Sequence, residues 1–242
     1  TLIQLEDTKD IRSKFPVTFR KKQQGGRPKM RFLAFFNAAS GAFIDGELTF
    51  TTQNLPDHKS PYWPTNNALY EPYNGSNTAF NLNPNRISTQ NISMTIPLNP
   101  SEAVNKQETS LGPIGVSVNG VVFYNQYAGP NNQALTNEIN SFDQYLGHPQ
   151  NSGQYHYHIE PTYLTSQFGS DAFLGILADG FPVYGPVENG STITNSDLDV
   201  YHGHTSPTID FPNGIYHYHI TPNEDPYING NGFFGTPGTI TN

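Results

Sequence analysis

Half of the chain's eight histidines lie in two copies of one motif, Tyr155-His156-Tyr157-His158 and Tyr216-His217-Tyr218-His219. Successive side chains of an extended strand point to opposite faces, so the histidines of each copy share one face and the tyrosines share the other. Histidines at positions i and i+2 of a strand lie about 6.5 to 7 Å apart at Cα, which lets both imidazoles reach one metal ion. The tyrosines on the opposite face are predicted to pack in the core between sheets.

A third histidine precedes each motif in a Gly-His dipeptide. A His-x-His pair with one histidine from a neighbouring element is typical of catalytic zinc sites, because it leaves a fourth position for water. Zinc is therefore the favoured ion, with copper as the alternative, since imidazoles bind both and the chain has no cysteine. One shared centre and two separate centres are both compatible with the sequence. The six predicted ligands are His148, His156, His158, His204, His217 and His219.

Carboxylates near these motifs are predicted to fix the histidine tautomers by accepting the second ring N–H. Asp143, Asp179 and Asp199 are the candidates. The alternative is that the histidines only form hydrogen bonds between the repeats, with tyrosine hydroxyls as their partners. His202 has no counterpart in the first copy, where Leu146 stands, so it is not predicted to be a ligand.

A general base is also needed if the site is catalytic, and His58 and Asp179 are the candidates. His58 lies in a proline-bounded loop that also contains the only tryptophan, and the polar chain continues to about residue 86. A connection of this length typically covers or builds a site, although an exposed histidine is the usual occupant of such a loop.

An internal duplication positions these residues. Gly115–Tyr124 and Gly175–Tyr184 are both predicted hairpins, with an Asn-Gly turn in the first and an Asp-Gly turn in the second. In each copy, an Asp-x-Tyr-x-Gly-His turn and the Tyr-His-Tyr-His strand follow the hairpin. Repeat 1 spans residues 115–159 and repeat 2 spans residues 175–220. We expect the two units to pack about a pseudo-twofold axis, because neither would bury its own face alone.

The composition predicts an all-β fold, β-rich with one or two short helices, in a sandwich or barrel-like arrangement. Only 13% of the residues are charged, while Gly, Pro, Tyr and Phe number 22, 20, 14 and 16. A single domain over residues 1–242 is expected, with an N-terminal β segment and long loop at 1–114. Strands are predicted at Phe15–Phe19 and Ile92–Pro97, and helices at Asn131–Phe142 and Pro161–Phe168.

Charge and hydropathy exclude several classes of partner. The net charge is −8 and the basic residues near the N-terminus lack interleaved aromatic residues, so no nucleic-acid partner is predicted. No apolar run approaches the roughly 20 residues that a membrane span needs. The chain begins at Thr1 without a methionine, which predicts a processed start. The expected partners are a metal ion and a small-molecule or polysaccharide substrate.

The motifs resemble those of the YHYH family of bacterial, mostly exported proteins. The resemblance is carried by five segments between about residues 50 and 235: Pro56–Tyr62, Asn83–Ile87, Gly147–His158, Gly175–Pro186 and Pro212–His219. It implies an extracellular, periplasmic or cell-surface location, a shared site, and a site role for His58. Many family members carry cysteines, and this chain has none, so no disulfide is expected here.

Together these features predict an exported metal-binding protein with a histidine-built transition-metal centre. If the protein is catalytic, metal-dependent hydrolysis is the expected chemistry. Two alternatives belong to other classes: a metal-binding or metal-delivery protein without turnover, and a carbohydrate-binding module in which the histidines are structural.

Overall fold

The computed structural model describes residues 40–44, 46–222 and 225–242. The strand predicted at Phe15–Phe19 lies outside this part of the chain. In chain order, the strands are β1 (Ser40–Ile44), β2 (Glu47–Thr52), β3 (Ile92–Pro97), β4 (Glu102–Gln107), β5 (Pro113–Ser117), β6 (Val122–Tyr124), β7 (Tyr127–Ala128), β8 (Gln133–Ala134), β9 (Gly147–Pro149), β10 (Tyr155–Tyr157), β11 (Phe173–Leu177), β12 (Pro182–Tyr184), β13 (Val187–Glu188), β14 (Ser191–Thr192), β15 (Gly203–Ser206), β16 (Ile215–His219), β17 (Phe233–Gly235) and β18 (Thr239–Thr241).

The largest sheet has eight strands in the order β15-β16-β12-β11-β5-β6-β10-β9. This order is symmetric, because each half contains the hairpin, the Gly-His strand and the Tyr-His-Tyr-His strand of one repeat. The halves meet where β5 and β11 pair antiparallel, with Val116 opposite Ile176. These two residues are equivalent in the repeats, as a twofold axis between the strands requires. The predicted duplication about a pseudo-twofold axis is confirmed.

Each repeat uses the same connections within this sheet. Its hairpin turns through a glycine with positive φ, Gly120 at +84° and Gly180 at +83°, a conformation that glycine adopts without strain. The second hairpin strand then pairs parallel with the Tyr-His-Tyr-His strand, as β6 with β10 and β12 with β16. The Gly-His strand pairs antiparallel on the outside and forms the sheet edge. The histidine strands therefore lie near the two opposite edges.

A second sheet, in the order β1-β2-β3-β18, supplies the other layer. Its strand β3 has the bounds predicted from the sequence, and buried and partly buried residues alternate along it, as expected for a half-buried strand. Leu48 of β2 and Met94 of β3 join one hydrophobic core with Phe123, Tyr157 and Tyr218 of the large sheet. The arrangement is sandwich-like rather than a barrel, because the large sheet is open, with β9 and β15 at its edges.

Helical structure is sparse in the described part of the chain. The helix predicted at Pro161–Phe168 is confirmed as α1 (Thr162–Phe168). The helix predicted at Asn131–Phe142 is wrong: only Glu138–Ser141 is helical there, as a 3₁₀ turn, and a second 3₁₀ turn covers Asn195–Asp197.

The chain entering the first of these 3₁₀ turns explains the difference. Asn131 and Asn132 have φ angles of 70° and 51°, which place them in the left-handed region and start a turn into β8. Leu135 and Phe142 are buried together in a small apolar cluster, so their helical spacing reflects burial rather than a helix. No helix among the described residues is long and apolar enough to cross a membrane.

Candidate metal centres

Three histidines and one glutamate converge at the β9 edge of the large sheet. We name Glu138, His148, His156 and His158 cluster 1; their ligand atoms all lie within 4.8 Å of one another. The Nε2 atom of His156 lies 2.9 Å from His148 Nε2 and 3.1 Å from His158 Nε2. Glu138 Oε1 lies 3.2 Å from His148 Nε2. The register explains part of this geometry, because His148 on β9 is directly opposite His156 on β10.

Hydrogen bonds at the far side of each ring decide which nitrogen faces the cluster. His156 Nδ1 donates to the Gln154 carbonyl at 3.1 Å, and His158 Nδ1 donates to the Asn125 carbonyl at 2.6 Å. A carbonyl only accepts hydrogen bonds, so the proton of each neutral ring is on Nδ1. Both Nε2 atoms therefore present a lone pair to the cluster.

His148 is held in the same tautomer by a side chain. Its Nδ1 lies 2.7 Å from Ser141 Oγ. The Ser141 hydroxyl donates its own proton to the Glu138 carbonyl at 2.7 Å, so it accepts from His148. All three Nε2 atoms and the Glu138 carboxylate are therefore acceptors facing one another, with no proton between them. Separations of 2.9 to 3.1 Å between Nε2 atoms place these ring nitrogens close enough to reach one ion.

Repeat 2 builds an equivalent set at the β15 edge. We name Glu188, His204, His217 and His219 cluster 2. His217 Nε2 lies 3.2 Å from His204 Nε2 and 3.1 Å from His219 Nε2. Glu188 approaches through both oxygens, at 3.4 Å from His204 Nε2 and 3.5 Å from His217 Nε2. His204 lies opposite His217 across β15 and β16, as His148 lies opposite His156 in cluster 1.

The same main-chain acceptors set the tautomers in cluster 2. His217 Nδ1 donates to the Ile215 carbonyl at 2.9 Å, and His219 Nδ1 donates to the Gly185 carbonyl at 2.8 Å. These carbonyls occupy the positions that Gln154 and Asn125 occupy in repeat 1. The duplication has therefore kept the ligands together with the backbone groups that orient them.

The six histidines form two separate sets rather than one. The histidine strands β10 and β16 are five strand positions apart in the large sheet. At about 4.8 Å per position, this is roughly 24 Å, which is too far for ligands of one ion.

Both glutamates were missing from the sequence prediction. Glu138 lies in the 3₁₀ turn before β9, whereas Glu188 lies on β13. In the repeat alignment Glu188 corresponds to Ala128, so the two carboxylates come from different positions and no repeat spacing reveals them. For Glu188, burial tends to raise the pKa, but the pKa is lowered, chiefly by the hydrogen bond from Ser206.

Three of the cluster histidines, His156, His158 and His219, are held in the neutral form that binds metals. Burial, with a further contribution from neighbouring imidazoles, lowers the pKa of His158 and of His219 to about 4. Burial also lowers the pKa of His156 well below its usual value. At neutral pH these rings therefore carry no proton on Nε2 and are ready to act as ligands.

The two clusters differ in access. In cluster 1, the Phe142 ring lies 4.8 Å from the His148 ring and 5.9 Å from the His158 ring, and Tyr124 stacks on His156 at 3.8 Å. All three histidines there are at most 3% exposed. Cluster 2 instead adjoins a cavity of about 1050 Å³, whose lining includes Glu188, His217 and His219. Among the described residues, cluster 2 therefore lies beside a cavity, and its His204 side chain is 24% exposed.

The aspartates predicted to support the histidines contact tyrosines on the opposite face of the sheet. Tyr155 donates to Asp143 at 2.8 Å and Tyr216 donates to Asp199 at 2.9 Å. Tyr218 donates to Asp179 at 2.6 Å. The outer contacts of the cluster histidines come from carbonyls and Ser141 instead. The tyrosines of both motifs are buried, as the alternation of the strand predicted.

His58 also lies on the tyrosine face. It is buried, with its Nδ1 donating to the Lys59 carbonyl at 2.9 Å and its Nε2 accepting from the Tyr157 hydroxyl at 3.0 Å. The structure therefore brings neither His58 nor Asp179 to a histidine cluster. His202, which was not predicted to be a ligand, is outside both clusters, with its Nε2 3.1 Å from Thr221 Oγ1.

The fold and its two clusters define a β-rich protein with two histidine–glutamate groups that can hold metal ions. Residues 93–194 match the model of the YHYH protein family. The match confirms the family resemblance over this part of the chain, which contains cluster 1 and Glu188 but ends before the second Gly-His dipeptide. No curated protein and no solved structure matches the chain.

Proposed function

We propose that this chain is an exported metal-binding protein in which each cluster holds one transition-metal ion. The observation that carries the proposal is that cluster 1 contains four acceptors with no proton between them, and that His217 and His219 present lone pairs beside Glu188 in the same way in cluster 2. Buried acceptors with no donor between them are unfavourable, and a cation held by the imidazoles beside the glutamate charge offsets that cost. Imidazole and carboxylate ligands favour zinc, with copper as the alternative. Export rests on the family resemblance.

Cluster 1 suits a structural ion. Three imidazoles and Glu138 complete a four-ligand set, and Phe142 covers two of the rings. Structural zinc sites are closed in this way, without a position for water. We therefore assign no chemistry to cluster 1 beyond holding the β9 edge to the 3₁₀ turn that carries Glu138.

Cluster 2 suits metal-dependent hydrolysis. His204, His217 and His219 would hold the ion, which would supply Lewis-acid activation of a water and a substrate carbonyl. Glu188 is our candidate for the general base: its pKa is lowered, so it is ionised at neutral pH, and it lines the cavity. Ser206 donates a hydrogen bond to Glu188 Oε1 and orients the carboxylate. Glu188 accepts the proton as the water oxygen bonds to the carbonyl carbon, and then returns it to the leaving group.

Metal analysis of untagged protein tests the binding proposal. We expect two ions per chain, and one ion in each of two double variants, His156→Ala with His158→Ala and His217→Ala with His219→Ala. His58→Ala is the control, because His58 lies outside both clusters, and it should keep two ions. A folded protein that stays empty after incubation with zinc and with copper would sink the proposal.

Turnover is tested separately with ester, phosphate ester and glycoside substrates on protein that contains two ions. Glu188→Gln should lower kcat by about a hundredfold or more while the metal content is unchanged. Glu138→Gln is the matched control in the covered cluster and should leave kcat near its starting value once the ions are present. Filled clusters with no turnover of any substrate would favour the second candidate, metal delivery, which the partial exposure of His204 supports.

A further inference from the structure

The cavity beside cluster 2 carries an inference that rests on the proposed function and specifies its ligand. We propose that this cavity binds an organic cation, an ammonium or guanidinium group attached to an apolar body. The charged group would lie at Asp171 and Asp210, and the apolar body would extend toward cluster 2.

The charge of the lining selects against anions. Three carboxylates line the cavity, those of Asp171, Glu188 and Asp210, and its lining contains no lysine or arginine. Glu188 is committed to cluster 2, so Asp171 and Asp210 remain as charges that a ligand meets. A phosphate or carboxylate ligand would be repelled by both, whereas a cation is attracted.

Asp210 is oriented to receive such a group. Tyr184 donates its hydroxyl proton to Asp210 Oδ2 at 2.9 Å and also lies 3.0 Å from Thr208 Oγ1. Within the described part of the chain, no hydrogen bond engages Asp210 Oδ1, which leaves it to accept from a ligand. The Tyr184 side chain also reaches cluster 2. Its ring lies edge-on to the His217 ring, with 5.2 Å between the ring centroids.

Several of the other lining residues are apolar, which favours an organic cation over a bare metal ion. Val118 and Phe173 form buried parts of the wall, and Pro207, Ile209 and Pro212 line it near Asp210. Ile209 is 86% exposed, and the body of a bound ligand would cover it. A volume of about 1050 Å³ accommodates a molecule of that size.

Binding of two matched probes to zinc-loaded protein tests the inference. N-benzoyl-L-arginine amide carries a guanidinium group and an aromatic ring, and N-benzoyl-L-citrulline amide has nearly the same shape without the charge. By titration calorimetry, we expect the arginine probe to bind about five- to tenfold more tightly at low salt, and less so at high salt. Asp210→Asn and Asp171→Asn should each remove part of this preference.

Glu108→Gln is the control, because it makes the same change in net charge at an exposed residue outside the cavity. It should keep the full preference. Equal affinities for the two probes, or a preference that the double variant Asp171→Asn with Asp210→Asn retains, would overturn the inference. Zinc content is measured in the same samples. If the protein holds two ions but binds both probes equally, only this inference is contradicted. If it holds no zinc but still prefers the arginine probe, only the proposed function is contradicted.

Discussion

At the scale of residues, a main-chain carbonyl rather than a carboxylate decides which nitrogen of most cluster histidines faces the metal position. The carbonyls of Gln154 and Ile215 serve equivalent histidines in the two repeats. A carbonyl depends on backbone geometry and not on side-chain identity, so the sequence around it can change without altering the tautomer. His148 is an exception, because it depends on the side chain of Ser141.

Ser141→Ala tests this dependence. The variant removes the acceptor for His148 Nδ1, so the ring loses the contact that fixes its tautomer and orientation. We expect the zinc affinity of cluster 1 to fall by about 10- to 100-fold, with cluster 2 unchanged, as measured by competition with a chromophoric chelator. Ser166→Ala is the control, because the Ser166 hydroxyl bonds only a carbonyl of α1. An unchanged cluster 1 affinity would show that Ser141 does not orient the ring.

At the scale of elements, the Gly-His turn is the part of each repeat that needs the most specific backbone. The residue before the glycine lies in the left-handed region in both copies, with φ of 63° at Leu146 and 75° at His202. The glycine that follows packs against a tyrosine of the motif: a Cβ on Gly147 or on Gly203 would lie 2.5 Å from the hydroxyl oxygen of Tyr155 or Tyr216. This packing places the Gly-His histidine opposite the first histidine of the motif.

His202 makes this turn sensitive to acid in repeat 2. Burial lowers the pKa of His202 to about 4, from its ordinary value of 6.5. The unfolded chain therefore binds one more proton between these values, so the contribution of His202 to stability is complete above pH 6.5 and is lost as the pH falls toward 4. His202→Leu copies the residue of repeat 1. When the pH falls from 7.5 to 4.5, the free energy of unfolding should decrease in both metal-free proteins. The decrease should be about 2 to 3 kcal/mol smaller in the variant than in the parent.

Urea unfolding of both metal-free proteins at the two pH values measures this difference. Other histidines titrate in the same range, but they are common to both proteins and cancel in the comparison. Parallel losses of stability in the parent and the variant would contradict the assignment to His202.

The parts of the fold that the sequence predicts are those with a repeated spacing. The hairpins, the Gly-His turns and the three histidines of each copy recur in register, so one alignment reveals them. Glu138 and Glu188 are not at equivalent positions of the two repeats, so only the structure identifies them as possible ligands. A longer helix was predicted where only the 3₁₀ turn Glu138–Ser141 occurs. The apolar residues at helical spacing are buried over cluster 1 without forming a helix. Asp143 and Asp199 lie near the Gly-His dipeptides in sequence, but their carboxylates accept hydrogen bonds from tyrosines on the other face of the sheet.

At the scale of the whole molecule, the pseudo-twofold axis relates the histidines of the two clusters. It does not relate the side chains that pack over those histidines. Phe142, which covers cluster 1, corresponds in the repeat alignment to Leu198. Among the described residues, Phe142 forms an apolar group over cluster 1 with Leu135 and Ile159, whereas a cavity adjoins cluster 2. The duplication therefore gives three histidines in each repeat but different surroundings for the two sets.

The difference in cover predicts different rates of metal loss. An ion at cluster 2 can meet a chelator through the cavity, whereas release from cluster 1 requires the segment that carries Phe142 to open locally. Excess chelator added to zinc-loaded protein should therefore remove the ions in two phases of equal amplitude, with rates that differ on the order of tenfold or more. The fast phase should be missing in the His217→Ala, His219→Ala variant, which assigns it to cluster 2.

Phe142→Leu places the repeat 2 residue over cluster 1 and tests the cause of the slow phase. A smaller side chain leaves part of the His148 and His158 rings uncovered, so the slow phase should accelerate severalfold while the fast phase keeps its rate. The substitution should cost about 1 to 2 kcal/mol of stability, which leaves the chain folded for the measurement. Loss of both ions in one phase from the parent protein, or a slow phase that Phe142→Leu leaves unchanged, would show that cover does not control release.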